Sequence, residues 1–269
     1  LNKNISIIGC GWLGLPLCKH LMELDYIIKG STTSKHKINE LDKQGLDVQY
    51  IKLNAHQIEG DIGTFLKDCD TLIINVPPGL RSNPEKNHVA EISHLIKAIE
   101  ISDIKKVLYV GSISVFKDKD DMPVINSNII PNNTANTAKQ LIAIEKKLLQ
   151  NKNFKTTILR FGGLFGDNRH PAKHLSGKKD ISNPEAPINL IHQQDCIAII
   201  ASIINSNLWN VTLNACYPDH PVKMYYYKNY CIQHNLPIPT FDHSEKSEGK
   251  IIDSSELVRL LKYSFKQAP

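Results

Sequence analysis

Long apolar runs, paired cysteines and grouped histidines are all missing from this sequence of 269 residues. The longest apolar run, near residues 197–204, falls far short of the ~20 residues that span a bilayer. Six cysteines (Cys10, Cys18, Cys69, Cys196, Cys216 and Cys231) form no C-x-x-C pair and read as free thiols of a reducing cytoplasm. Cys10 falls within a glycine-rich stretch, where a small residue is needed more than a redox group. Eleven histidines do not assemble a ligand set. His170 and His174 have H-x-x-x-H spacing, but they flank Pro171 and read as loop, so no metal is expected. No leader pattern precedes the first apolar segment, and a cytoplasmic location is expected. An excess of one charge is lacking too: 32 Lys and Arg stand against 27 Asp and Glu, a net +5. The lysines are scattered, apart from short groups such as Lys178-Lys179. The sequence therefore predicts a small-molecule partner, with neither nucleic acid nor membrane.

What is present is the balance of a globular chain, 41% hydrophobic and 22% charged. Short β-branched runs alternate with longer segments of helical period, the pattern of βαβ units and a parallel sheet. Strands are expected at 5–8, 26–29, 48–51, 71–76, 106–110 and 156–161, and helices at 13–24, 85–101 and 139–149. The run at 71–76 is almost wholly apolar, as a strand covered on both faces must be. Beyond it come a loop-rich stretch over 162–187, a helix near 196–204 and a strand near 211–214. Two more helices are expected, one from near Val222 and one over 253–261 with Asp253 as its N-cap. The fold class is α/β: a doubly wound parallel Rossmann sheet over residues 1–162, with a smaller portion, 163–269, capping its substrate side.

Gly9-Cys10-Gly11-Trp12-Leu13-Gly14 is a G-x-G-x-x-G set between an apolar strand and a helix. Its glycines permit the tight turn, the approach of a pyrophosphate and close helix–strand packing. The helix start then offers unpaired N–H groups and partial positive charge to the phosphates. A nicotinamide dinucleotide is the cofactor this context implies. An acid closing the second strand would bond the 2′-hydroxyl of NAD. Here the strand runs into Ser31, Thr32, Thr33, Ser34 and Lys35, with no carboxylate. Hydroxyls and a lysine suit a 2′-phosphate, so NADP is favoured, with NAD as the alternative. In open α/β sheets ligands sit beyond the carboxyl ends of strands. Val76, Pro77 and Pro78 after the fourth strand, Gly111 and Ser112 at the end of the fifth, and Phe161 at the end of the sixth are the further cofactor candidates.

The order of the glycine loop, G-S-I-S-V-F from Gly111, L-R-F-G-G-L-F-G from Leu159 and N-L-I-H-Q-Q-D from Asn189 resembles the extended short-chain dehydrogenase/reductase superfamily. The similarity is to its NAD-dependent epimerase/dehydratase group, and within that to atypical members. It runs from about residue 4 to the last helix. It implies that Ser112 bonds the reacting carbonyl or hydroxyl, with Ser114 a competitor, and that 189–195 shapes the substrate side. It also implies a homodimer.

One departure bears on chemistry. Members that transfer hydride carry Y-x-x-x-K, yet no tyrosine occurs between Lys117 and Phe154. Where the motif should fall the sequence reads N-T-A-K-Q-L from Asn136, and Phe116 stands where a tyrosine often does. Neither phenylalanine nor threonine replaces a phenol as general acid. Ser112, His192 and Lys139 are the candidate substitutes, Lys139 also as a ribose ligand. Two readings stay open: an NAD(P)-dependent oxidoreductase or epimerase-like enzyme on a small polar substrate, or a dinucleotide-binding sensor without turnover. Arg169, His170 and Lys173 suggest that the substrate carries an anionic group.

Overall fold

The computed structural model describes residues 3–80 and 82–269. Seven parallel strands form the central sheet: β1 (Asn4–Ile8), β2 (Ile27–Thr32), β3 (Asp47–Tyr50), β4 (Thr71–Ile74), β5 (Lys106–Ser112), β6 (Lys155–Phe161) and β7 (Thr212–Ala215). Their spatial order is β7-β6-β5-β4-β1-β2-β3. The chain thus starts in the middle, builds outward to β3, then crosses back to lay β4 on the other side of β1. Ile5 of β1 pairs with Ile28 on one side and Thr71 on the other. That reversal opens a crevice beyond the carboxyl ends of β1 and β4, where ligands of such sheets sit.

The helices are α1 (Gly14–Glu23), α2 (Ile38–Asp42), α3 (Ile62–Leu66), α4 (His88–Glu100), α5 (Asn136–Gln150), α6 (Pro171–Leu175), α7 (Gln193–Asn205), α8 (Lys223–Gln233) and α9 (Ser255–Leu261). Side chains alternate across a strand, so the sheet feeds two cores. Ile7, Ile73, Leu108 and Leu159 pack under Leu17 and Leu21 of α1 and Ile199 and Ile203 of α7. Leu72, Ile74, Val107 and Ile158 pack under Ile92 and Leu95 of α4 and Ile144 and Leu148 of α5. With both faces covered, every residue of β4 is buried. Each buried Ile or Leu there contributes about 1.5–3 kcal/mol.

The doubly wound parallel sheet is as expected, and four local expectations need correction. β2 extends to Thr32 rather than ending near residue 29, because Gly30, Ser31 and Thr32 find partners in Val48, Gln49 and Tyr50. α5 starts at Asn136, three residues early, which brings Thr137 into the helix. Residues 171–175, expected as loop, form a single helical turn. Pro171 sits at its first position, and His170 caps it by accepting from Ala172 N at 3.2 Å. At α9 the cap position belongs to Ser254, while Asp253 Oδ1 accepts from Ser255 N at 2.8 Å.

The later chain is laced into the earlier one. β7 adds to the edge of the sheet, with Leu213 beside Leu159. Ile251–Ile252 pairs with Val124–Ile125, and Gly163–Phe165 pairs with Leu190–His192. Phe165, Ala172, Ile188, Leu190, Tyr227 and Phe241 form a small core of their own. Among the described residues no helix is long and apolar enough to cross a membrane.

Candidate functional site

A cleft of about 1010 Å³ lies along the carboxyl ends of the central strands, lined by the glycine loop, 31–34, 51–55, 75–78, 109–112 and 161–162. The glycine loop is shaped by contacts that only glycine tolerates. Gly9 has φ +103°, and a Cβ on it would stand 2.3 Å from the Asn75 carbonyl oxygen. A Cβ on Gly14 would stand 2.1 Å from Gly9 O. Asn75 Nδ2 donates to Gly9 O at 3.0 Å, tying the loop to the end of β4. Gly11 is different: nothing lies within 4 Å of where its Cβ would be. Its bare backbone faces the open cleft. α1 starts without a side-chain cap and with no acid in its first turn; Leu15 N and Leu17 N already bond Gly11 O and Leu13 O, so the amides offered to a ligand are those of the turn that leads into the helix. Close-packed Gly9 and Gly14 flanking an open Gly11 fit a pyrophosphate.

The adenosine end of the cleft departs in part from expectation. Ser31 is 1% exposed, and its hydroxyl accepts from Gly9 N at 3.0 Å. It braces the glycine loop. Thr32, Thr33 and Ser34 line the cleft, whereas Lys35 does not: its ammonium lies over the Tyr50 ring, 4.8 Å from the centroid. Of the cations after β2 it is Lys37 that lines the cleft, brought round by the helical turn at Lys35–Lys37, with Lys52 beyond β3. The cleft's acidic side chains, Glu85 and Glu91, come from the approach to α4 and from α4 itself. Cys10 Sγ lies 3.4 Å from Cys18 Sγ, and that hydrogen bond lowers the Cys10 thiol while raising that of Cys18.

At the other end, Val76, Pro77 and Pro78 line the cleft with Gly111, Ser112 and Phe161. Ser112 Oγ accepts from Ser114 N at 3.2 Å, capping a short turn. Ser114 is outside the lining; its carbonyl takes Asn133 Nδ2 at 2.9 Å. Behind this strand end, Arg160 forks onto Glu145, with Nη2 2.7 Å from Oε2. Leu164 and Arg169 reach in from the later chain, the Arg169 guanidinium 4.9 Å from the Trp12 ring centroid. Gln193 Nε2 donates to Trp12 O at 2.6 Å.

Two of the three expected substitutes for the tyrosine are not in the cleft. Lys139 is exposed on α5; the α5 residue that lines the cleft is Leu141, one turn after Thr137. His192 is 5% exposed and caps α7, its Nδ1 accepting from Gln194 N at 3.2 Å and its Nε2 3.4 Å from Asp167 Oδ1. Nor does 189–195 line the cleft. Asp195, buried, accepts from Tyr263 Oη at 2.6 Å, Lys266 N at 2.9 Å and Gln267 N at 3.1 Å, fastening the chain's last residues. Sequence reasoning missed Lys37, Asn54, Lys86, Glu91, Tyr109 and Leu141. One of them had a visible signal: Tyr109 carries a hydroxyl in an otherwise apolar strand. Burial and the neighbouring Glu145 push its phenol well above the usual range.

A parallel sheet in this order, with a glycine cradle at its reversal point, defines a dinucleotide-binding protein of the Rossmann type. The chain belongs to the NAD(P)H-binding family, whose model matches residues 9–206. Over 266 residues it is 27% identical to Protein YeeZ of Escherichia coli strain K12, covering 98% of this chain and 96% of YeeZ. UDP-glucuronic acid 4-epimerase from Bacillus cereus, solved with NAD, matches with TM-score 0.80 at 16% identity, covering 98% of this chain and 92% of the epimerase. MoeE5, solved with UDP-glucose and NAD, matches with TM-score 0.79 at 14% identity, covering 98% and 94%. What the chain shares with these two solved structures is the fold.

Proposed function

We propose that this protein is an NADP-dependent oxidoreductase or epimerase-like enzyme acting on a small polar substrate. The observation that carries this reading is that one cleft joins three things. They are the glycine cradle, an adenosine end with hydroxyls and Lys37 but no carboxylate, and Ser112 at the end of β5. A bound nicotinamide dinucleotide would supply the hydride donor or acceptor. The chain's own residues divide the remaining work. Gly11 and the amides of the turn that leads into α1 receive the diphosphate, and Thr33, Ser34 and Lys37 receive the 2′-phosphate. Pro77, Pro78 and Phe161 wall the nicotinamide end and exclude water. Ser112 donates a hydrogen bond to the reacting oxygen of the substrate. Residues 163–269 form the substrate side, where Arg169, held against Trp12, meets an anionic group.

The second reading, a sensor that binds the dinucleotide without turnover, is favoured by Leu141 and Thr137 on the cleft-facing side of α5, which bear neither phenol nor ammonium. Turnover of NADP or NADPH over a panel of carbonyls and nucleotide sugars separates the two. Under the enzyme reading, Ser112→Ala lowers kcat about 100-fold or more with cofactor affinity unchanged. Tight NADP binding with no turnover on any of them would establish the sensor instead.

A further inference from the structure

Between the loop that follows β4 and the first turn of α4 lies a polar cluster that the reading above does not use. Glu91 is 4% exposed, and its Oε2 lies 3.0 Å from Lys86 Nζ and 2.9 Å from His88 Nδ1. His88 is completely buried, and burial holds its imidazole below the usual value. It is therefore neutral at neutral pH, with Nδ1–H donating to the carboxylate, which can only accept. Gln140 of α5 clamps this segment from the other side. Its Oε1 accepts from His88 N at 2.8 Å, and its Nε2 donates to Lys86 O at 3.0 Å. Asn136 Nδ2 adds a bond to Pro84 O at 3.3 Å. Lys86 and Glu91 both line the cleft, as does Leu141, the residue next to Gln140.

An ordinary ion pair needs none of this. A partly exposed lysine–carboxylate contact adds little stability, whereas burying the carboxylate and a histidine beside it costs stability. His88 Nε2 is buried with no hydrogen-bond partner among the described residues, which adds to that cost. Such an outlay at a cleft wall marks a group whose position matters to a ligand. Side by side, Lys86 offers N–H donors and Glu91 offers carboxylate oxygens. Adjacent hydroxyls of a sugar ring, each both donor and acceptor, match that pairing. A phosphate does not, because Glu91 would repel it.

Resting on the dinucleotide reading of the cleft, we propose that Lys86 and Glu91 form a binding pair for a vicinal diol, with His88 and Gln140 as positioning residues. The diol comes either from the ribose of the cofactor that carries no phosphate, or from a sugar of the substrate. In this arrangement the ammonium that α5 lacks enters the cleft from the approach to α4, fixed to the α5 turn that carries Leu141.

Calorimetric titration of the full chain tests this without any turnover. The first arm compares 2′,5′-ADP, which has no vicinal diol, with NADP, which has one. In Lys86→Met and Glu91→Gln the affinity for 2′,5′-ADP stays within about twofold of the unaltered protein, while that for NADP falls at least ~10-fold. Lys86→Arg, which keeps the charge, recovers part of the loss. The second arm titrates UDP-glucose into the NADP complex. Loss of that binding in the variants, with NADP affinity intact, assigns the diol to the substrate. If neither arm changes in Lys86→Met, whose side chain is 26% exposed and whose retained 2′,5′-ADP affinity reports an intact fold, the proposal is overturned. If the unaltered protein binds neither 2′,5′-ADP nor NADP, the dinucleotide reading itself has failed and takes this inference with it.

Discussion

Arg160 and Glu145 meet as a forked pair behind the end of β5, with both side chains 4% exposed. A Cβ on Gly111 would come 3.3 Å from Glu145 Oε1, so the pair forms the floor beneath the Gly111–Ser112 strand end. The Arg160 guanidinium also lies 5.1 Å from the Phe116 ring centroid. Phe116 is completely buried, which places it in the support of the site. Removing one member leaves a buried charge without its partner. Glu145→Gln should therefore cost about 3–5 kcal/mol, read as a lower midpoint in urea. The double substitution Glu145→Leu with Arg160→Met should recover most of that loss. An unchanged midpoint in Glu145→Gln would show that the pair contributes nothing.

The glycine loop allows folding and binding to be separated. Gly9→Ala must both adopt φ +103° and push against Asn75 O, so it should lower the melting temperature as well as NADP affinity. Gly11→Ala meets no protein atom. Its methyl group instead enters the space assigned to the diphosphate. Dinucleotide affinity should drop at least ~10-fold, about 1.4 kcal/mol, with the melting temperature unmoved. Retained affinity in Gly11→Ala would place the diphosphate elsewhere.

Choice between the two cofactors should depend on Lys37 and hardly on Lys35, whose ammonium is engaged with Tyr50. In Lys37→Glu the affinity for NADP should fall roughly 10-fold or more while that for NAD changes little, since only the former brings a phosphate to that corner. Lys35→Glu should leave the ratio of the two nearly as it was. Equal effects of Lys37→Glu on both cofactors would count against a 2′-phosphate site.

Acid should loosen the later part of the chain through His170. Its ring stacks on Tyr230 with centroids 3.7 Å apart, and its Nε2 lies 2.8 Å from Tyr226 Oη. Its Nδ1 must stay unprotonated to accept from Ala172 N. Burial, with His234 and Lys173 nearby, pushes its pKa down to about 4. The unfolded chain takes up this proton near the ordinary histidine value of about 6.5, before the folded one does. The stability it confers is thus complete above about 6.5 and is lost as pH falls toward and through about 4. For one proton the slope cannot exceed ~1.4 kcal/mol per pH unit. His88 and His220 are lowered by burial too and contribute in the same direction. Comparison with His170→Asn, which keeps a cap acceptor but does not titrate there, isolates the term. Thermal melts should show a shallower pH dependence for the variant over that window; identical slopes would exclude His170 from the acid response.

How far the sequence could be read follows the range of the forces involved. The almost wholly apolar run along 71–74, the turn demanded by Gly9 and the helix opened at Gly14 depend on neighbours a few residues away. The parallel sheet and its glycine turn were therefore legible in the sequence. Which side chains enter the cleft depends on how each helix is rotated against the sheet, and that is fixed by packing between residues far apart. Leu141 faces inward and Lys139 outward because Ile144 and Leu148, on the face of α5 that continues from Leu141, are buried under the sheet. Lys37 lines the cleft in place of Lys35 because one helical turn after β2 redirects the chain. His192 and Asp195 were drawn away from chemistry by a helix start and a chain end that needed their hydrogen bonds. Lys86 and Glu91 entered because Gln140, far later in the sequence, holds their segment to α5.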